Sequence, residues 1–184
     1  MNEILQKLDV PTISEQRKKE MIVEIAAARP QAVLTPGNPT EGIPDILTIS
    51  LPYECYIDGL VNKQEKTAKI NLFQTNTRIA NFSKVGIGSR LMRVFVAEAK
   101  ALGAERIEGG SLISLSALRT RVKVFGKENV FFFLHDMNGV YPIGFEEAEK
   151  KIKFNEGARV SREQVEARCD LSRVDTSGWE RPVY

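Results

Sequence analysis

The sequence predicts an α/β protein with a mixed, mostly antiparallel central sheet flanked by helices, and two patterns carry that reading. Strand-like runs at 46–51, 53–61 and 67–79 follow one another, a polar break over 62–66 separating the last two as in an antiparallel hairpin. From 67 to 134 the pattern then alternates strand, helix, strand, helix, strand, as a layered α/β sheet does. A glycine-punctuated turn, Phe82-Ser83-Lys84-Val85-Gly86-Ile87-Gly88-Ser89-Arg90, joins the long third run to the first of these helices.

Before the hairpins, Thr12-Ile13-Ser14-Glu15 after Pro11 reads as a capping box opening a helix that Pro30 must end. Met21, Ile22, Ile25 and Ala26 give that helix an apolar face. Residues 34–45 carry Pro36, Gly37, Asn38, Pro39, Gly42 and Pro44 and are expected to form a long loop. In the third run Ala68, Ile70 and Leu72 alternate with Lys69, Asn71 and Phe73, the period of a strand with two different faces.

After the turn, Ile87, Leu91, Val94, Phe95, Ala99 and Leu102 fall on one helical stripe that Gly103 is placed to end. A short strand over 104–108 runs into Gly109-Gly110, which allow a bulge or the close approach of another backbone. Ser116 is the expected cap of a second helix with Leu118, Val122 and Phe125 inward and Gly126 at its end. Residues 129–134, with three consecutive phenylalanines, read as a buried strand. Beyond 136, the pairs Glu146 with Lys150, Glu147 with Lys151 and Glu149 with Lys153 describe a solvated helix. Ser161-Arg162-Glu163-Gln164 reads as a further capping box, and 172–184 as a polar tail carrying Trp179. The expected organisation is a helical segment and loop over 1–45, a core over 46–136, and a helical extension with tail over 137–184.

Composition bounds the function classes. A net charge of +2 on 184 residues gives no electrostatic footprint for nucleic acid or an anionic membrane. Lys63, Lys66, Lys69, Arg119, Arg121 and Lys123 read as scattered exposed positions. No apolar run reaches the ~20 residues of a membrane span. The first residues lack the basic-then-apolar order of a signal peptide, and Cys55 and Cys169 have no metal-ligand or redox spacing. A cytoplasmic protein is expected, with no metal, no nucleic-acid partner and no membrane partner.

The glycine turn is the chemically specific stretch. A strand feeding a helix through Gly-x-Gly leaves helix N-terminal N–H groups unpaired, and the helix dipole adds positive charge, so the turn suits a phosphate. The dinucleotide fingerprint needs a third glycine where Leu91 stands, and the P-loop needs Lys-Ser/Thr where Ser89-Arg90 stands. A plain glycine turn tightening the connection remains an alternative.

The segment resembles the pyrophosphate turn of the GNAT acyltransferases (Gcn5-related N-acetyltransferases): an aromatic, Arg or Gln, two residues, Gly, one residue, Gly or Ala. Phe82 matches the aromatic and Gly86-Ile87-Gly88-Ser89 the glycine core, while Ser83 departs from Arg/Gln. The element order over 46–134 is similar to that family's, so 46–136 is expected to form a GNAT-like core.

The resemblance implies an acetyl-CoA-dependent N-acyltransferase. In it the amides of Ser83, Lys84, Val85, Gly86, Ile87, Gly88 and Ser89 hold the pyrophosphate, and the strand end at 78–80 pairs with the pantetheine arm. The acceptor would be an amine, on a small molecule or a protein. The family's frequent acid, a tyrosine four residues before a Gly-Phe pair, falls on Val122, with Gly126-Lys127 at the pair. Asn71 and Gln74 on the third run cannot act as bases near neutral pH. Glu54, Asp58 and Glu108 read as surface carboxylates and His135 as the end of a strand, so the resemblance assigns no catalytic residue. The alternative is a non-catalytic interaction protein on the same core, with Trp179, Pro182 and Tyr184 of the tail as anchors for a protein partner.

Overall fold

The computed structural model describes residues 13–75, 86–110, 112, 114–155 and 163–184. In chain order the elements are α1 (Glu15–Ala27), β1 (Gln31–Thr35), β2 (Asp45–Leu51), β3 (Cys55–Asn62), β4 (Thr67–Gln74) and α2 (Ile87–Ala101). After them come β5 (Arg106–Glu108), α3 (Leu115–Phe125), β6 (Val130–Asp136), β7 (Gly139–Ile143), α4 (Phe145–Asn155) and β8 (Gln164–Asp170). Among the described residues, eight strands join one open sheet in the order β1-β2-β3-β4-β5-β8-β6-β7. Its pairs are antiparallel except β4 with β5, which is parallel. The protein is thus α/β with a mixed, mostly antiparallel sheet.

The hairpins form because alternate residues bury one face. Leu47, Ile49 and Leu51 of β2 and Cys55, Ile57 and Val61 of β3 are inward and essentially sealed. α2 packs on β2 and β3, α4 on β6 and β8, and α3 touches α2, α4 and β6. α3 therefore spans the seam between the two halves of the sheet. α2 is buried nearly all round, wider than the single stripe its spacing suggests, because the chain end covers its outer side.

That chain end folds back on the core. Trp179 packs against the apolar cluster with the Arg93 guanidinium 5.9 Å from its ring centroid. Val183 exchanges backbone hydrogen bonds with Pro30 and Ala32 beside β1. Buried Glu98 accepts from Arg181, at 2.9 Å, and from the Tyr184 hydroxyl. Burial, and then that bond to Glu98, push the Tyr184 hydroxyl up to about 12.

Arg90 ties three segments together. Its Nη1 donates to Ile25 O at 2.7 Å, its Nη2 to Ala28 O at 2.7 Å, and Nε and Nη2 grip Glu180. It thereby supplies the cation and donors that the last turn of α1 lacks. Arg90→Met is expected to cost about 2–3 kcal/mol, since it strands carbonyls and a carboxylate together. Urea unfolding measures this, and a loss under about 0.5 kcal/mol would mean that solvent replaces those bonds.

Four sequence expectations need correction. β1 occupies part of the stretch read as loop; five residues bounded by Pro30 and Pro36 are too few to display an alternation. Ser114, not Ser116, caps α3, its side chain accepting from Ala117 N at 3.1 Å. β6 buries Val130, Phe132 and Leu134 but turns Phe131 outward at 51% exposure, and Phe133 lies under Arg168, 4.2 Å from the ring centroid. Finally, Gln164 opens a strand rather than a helix: Val165, Ala167 and Cys169 face inward between Glu166 and Arg168, and β8 is inserted between β5 and β6. The segment after 136 therefore contributes strands to the sheet as well as the expected helix α4.

Candidate functional site

Parallel pairing of β4 with β5 lasts only from Thr67–Arg106 to Lys69–Glu108. The chain then leaves β4. A Cβ on Gly109 would stand 2.0 Å from Ala167 O, and one on Gly110 would stand 3.1 Å from Ile70 O, so these glycines let it run between two backbones. Leu112 N next bonds Val165 O of β8 at 2.6 Å, on the far side of β5 from β4. Beyond Lys69, β4 has no further strand partner on this edge among the described residues. A cleft of about 450 Å³ opens there.

Three elements wall it. β4 contributes Ile70, Asn71, Leu72 and Phe73, with Thr75 just beyond its end. The start of α2 contributes Gly86, Gly88 and Ser89, and α3 contributes Ser116, Ala117, Thr120 and Arg121 next to its cap Ser114. Asn71 is an extra residue on β4: Ile70 pairs Gly59 and Leu72 pairs Asp58, so Asn71 bulges. The bulge reverses the alternation that the sequence displays. Phe73 turns inward toward Gly88, and Leu72 faces out at 47% exposure.

The glycine turn sits at the cleft mouth. Gly86 has φ +79, a left-handed backbone that glycine favours, and precedes the fifteen-residue α2 without a side-chain cap. A Cβ on Gly88 would approach Phe73 Cζ to 3.0 Å, so this glycine lets the helix start lie against β4. The first N–H groups of α2 have no acceptor within the helix and carry its positive dipole end. Of the seven residues expected to hold a pyrophosphate, Gly86, Gly88 and Ser89 line the cleft, while Ile87 is a buried anchor of α2. Phe82, Ser83, Lys84 and Val85 lie outside the described residues, as do Thr12, 78–80, Ser161 and Arg162. A second cavity of about 290 Å³ shares Gly86 and Ser89 and adds Arg93, Lys123 and Trp179, placing cations beside the turn.

Sequence reasoning missed Arg121. The sequence pattern places it among several exposed basic positions, yet it is 5% exposed and lines the cleft. Its Nε has no hydrogen-bond partner, and among the described residues no carboxylate pairs with it. Burial pushes its pKa down from the ordinary value. Burial also pushes the neighbouring Cys169 thiol up to about 12, with the Arg121 charge acting the other way, so the thiol stays neutral. One signal was available: Leu118, Arg121 and Phe125 share a helical spacing, so the arginine falls on the apolar face. Lys63, Lys66 and Arg119, by contrast, are exposed and pair with Asp45, Glu105 and Glu149.

The candidate bases are elsewhere. Glu54 is exposed in the β2–β3 turn, and Glu108 accepts from Arg106 at 3.2 Å. Asp58 is half-buried on β3 with Oδ1 lacking a hydrogen-bond partner. His135 Nε2 lies 2.6 Å from Glu166 across β6 and β8. Burial opposes ionisation of Glu166, but bonds from Arg168 and His135 outweigh it and hold the carboxyl below its usual range. Among the described residues the cleft wall offers hydroxyls (Thr75, Ser89, Ser114, Ser116, Thr120), the Asn71 amide and the Arg121 guanidinium. No family model, no curated protein and no solved structure matches the chain.

Proposed function

We propose that the protein is an acetyl-CoA-dependent N-acyltransferase of the GNAT type, transferring an acetyl group to an amine by direct attack. The observation that carries this reading is the cleft itself: a strand edge with no strand partner among the described residues ends at a helix N-terminus without a side-chain cap. An extended pantetheine arm with amides suits the edge of β4, as an added strand does. A pyrophosphate suits the turn, where Gly86 and Gly88 keep Cβ atoms off the approaching anion. Arg93 and Lys123 in the adjoining cavity suit the remaining phosphate, and Trp179 offers a ring beside it. The parallel β4–β5 pair that separates after three residues agrees with the splayed strands of the GNAT core.

In this reading the thioester carbonyl lies near the Asn71 bulge, where backbone N–H and the cleft hydroxyls can donate to the developing oxyanion. The amine nitrogen attacks the carbonyl carbon, the new C–N bond forms, and the C–S bond breaks. The amine gives up a proton to water, and the departing thiolate takes one. Cleft hydroxyls, Thr120 among them, can relay these protons without a dedicated carboxylate.

Calorimetric titration of the full chain with acetyl-CoA tests the proposal. Binding with a Kd in the micromolar range, about −8 kcal/mol, is expected. Absence of binding to a demonstrably folded protein overturns the acyltransferase reading and leaves the non-catalytic interaction protein.

A further inference from the structure

Among the described residues, no hydrogen bond of its Nε and no ion pair accounts for the burial of Arg121. A guanidinium keeps its charge in any protein environment, so burying one without a carboxylate is costly unless something else neutralises it. Among the described residues, the electrostatic neighbour that acts on it is Cys169, a thiol that stays protonated. The residue nevertheless forms part of the cleft wall, next to Thr120 and one turn beyond Ala117. Among the described residues the rest of the lining is uncharged, so an anion entering the cleft would meet the Arg121 cation in a place of low dielectric. A planar fork of five donors matches carboxylate and phosphate alike, and with the donor's phosphates assigned to the α2 turn a carboxylate is the anion left for Arg121.

From this geometry we infer that the cleft takes a substrate bearing a carboxylate and that Arg121 is the specificity-determining residue that receives it. Two sources supply the same chemistry: a dicarboxylic acyl group on the donor, or the carboxylate of an amino-acid acceptor. The inference rests on the acyltransferase reading for its substrates but not for its anion site, and the experiment separates the two.

Wild type, Arg121→Met and Arg121→Lys are titrated with acetyl-CoA and with succinyl-CoA, and their thermal midpoints are measured with succinate, glycine, L-glutamate and uncharged glycinamide. A donor carboxylate predicts that wild type binds succinyl-CoA at least about tenfold more tightly than acetyl-CoA, a difference that Arg121→Met erases. An acceptor carboxylate predicts equal donor affinities, with glycine or glutamate, but not glycinamide, raising the wild-type midpoint in the presence of acetyl-CoA. Arg121→Lys keeps the charge without the fork and is expected to retain part of either preference.

Without ligand, Arg121→Met is expected to melt at or above the wild-type midpoint, because it removes an unpaired buried charge at similar volume. An arginine that braced the fold would melt lower. The inference falls if wild type prefers no carboxylate in either arm, or if its preference survives in Arg121→Met. If succinate acts through Arg121 while neither thioester binds, the anion site stands and the acyltransferase reading falls. If acetyl-CoA binds and no carboxylate responds, the reverse holds.

Discussion

A Gly86→Trp variant is expected to lose acetyl-CoA binding by about 100-fold or more while remaining folded. Gly86 lines both cavities that meet at the turn, and a Cβ built on it finds nothing within 4 Å, so an added side chain projects into open space. An indole there would stand where a pyrophosphate has to reach the α2 amides. Backbone strain must be separated from occlusion, because φ +79 disfavours every L residue by roughly 1–2 kcal/mol. Gly86→Ala carries the same strain without the bulk. If alanine weakens binding far less than tryptophan, occlusion of the turn is the cause. Equal losses would locate the effect in the backbone, and unchanged affinity in Gly86→Trp would remove the turn from the donor site. Calorimetry reads affinity, and circular dichroism checks folding on the same samples.

The legible parts of the molecule are those whose patterns are long and local. β2, β3 and α2 each run seven residues or more at a steady period, and Gly103 and Gly126 end their helices as placed. β8 escapes because Glu166 and Arg168 alternate with small inward residues, and because Ser161-Arg162-Glu163-Gln164 imitates a helix start. Only insertion between β5 and β6 buries that strand, and insertion is a non-local event. The Asn71 bulge is illegible for a similar reason: Leu72 and Phe73 are both apolar, so either register satisfies the pattern until Gly88 meets Phe73.

The candidate site divides along the same line. Gly86, Gly88 and Ser89 announce a phosphate turn in sequence, and the structure sets them at the mouth of a cleft. Arg121 and Thr120 reach that cleft only because α3 spans the seam between α2 and β6. A charged residue at helical spacing among Leu118 and Phe125 is a pointer to this, but docking decides whether it is covered. The aromatic tail reads equally as a partner anchor or as a strap, and its bonds to Pro30, Ala32, Ala97 and Glu98 engage it with the chain's own core.

The cleft depends on one crossing point, and Gly109→Ala is expected to cost about 3 kcal/mol or more of stability. The added Cβ would stand 2.0 Å from Ala167 O and 3.0 Å from Ala167 N, both backbone atoms within the sheet. No rotamer change relieves that contact; the chain at Gly109 must separate from β8 at Ala167, two residues beyond the pair of Ile107 with Cys169. Gly110→Ala is the matched control. Its Cβ meets a single atom, Ile70 O, at 3.1 Å, which a shift of a few tenths of an ångström relieves, so the cost should stay near 1 kcal/mol. Urea unfolding orders the two variants directly. A Gly109→Ala midpoint close to wild type would mean that the chain does not pass between β4 and β8 as tightly as the geometry requires. The path by which β5 departs from β4 would then need another account, and so would the cleft that this departure opens.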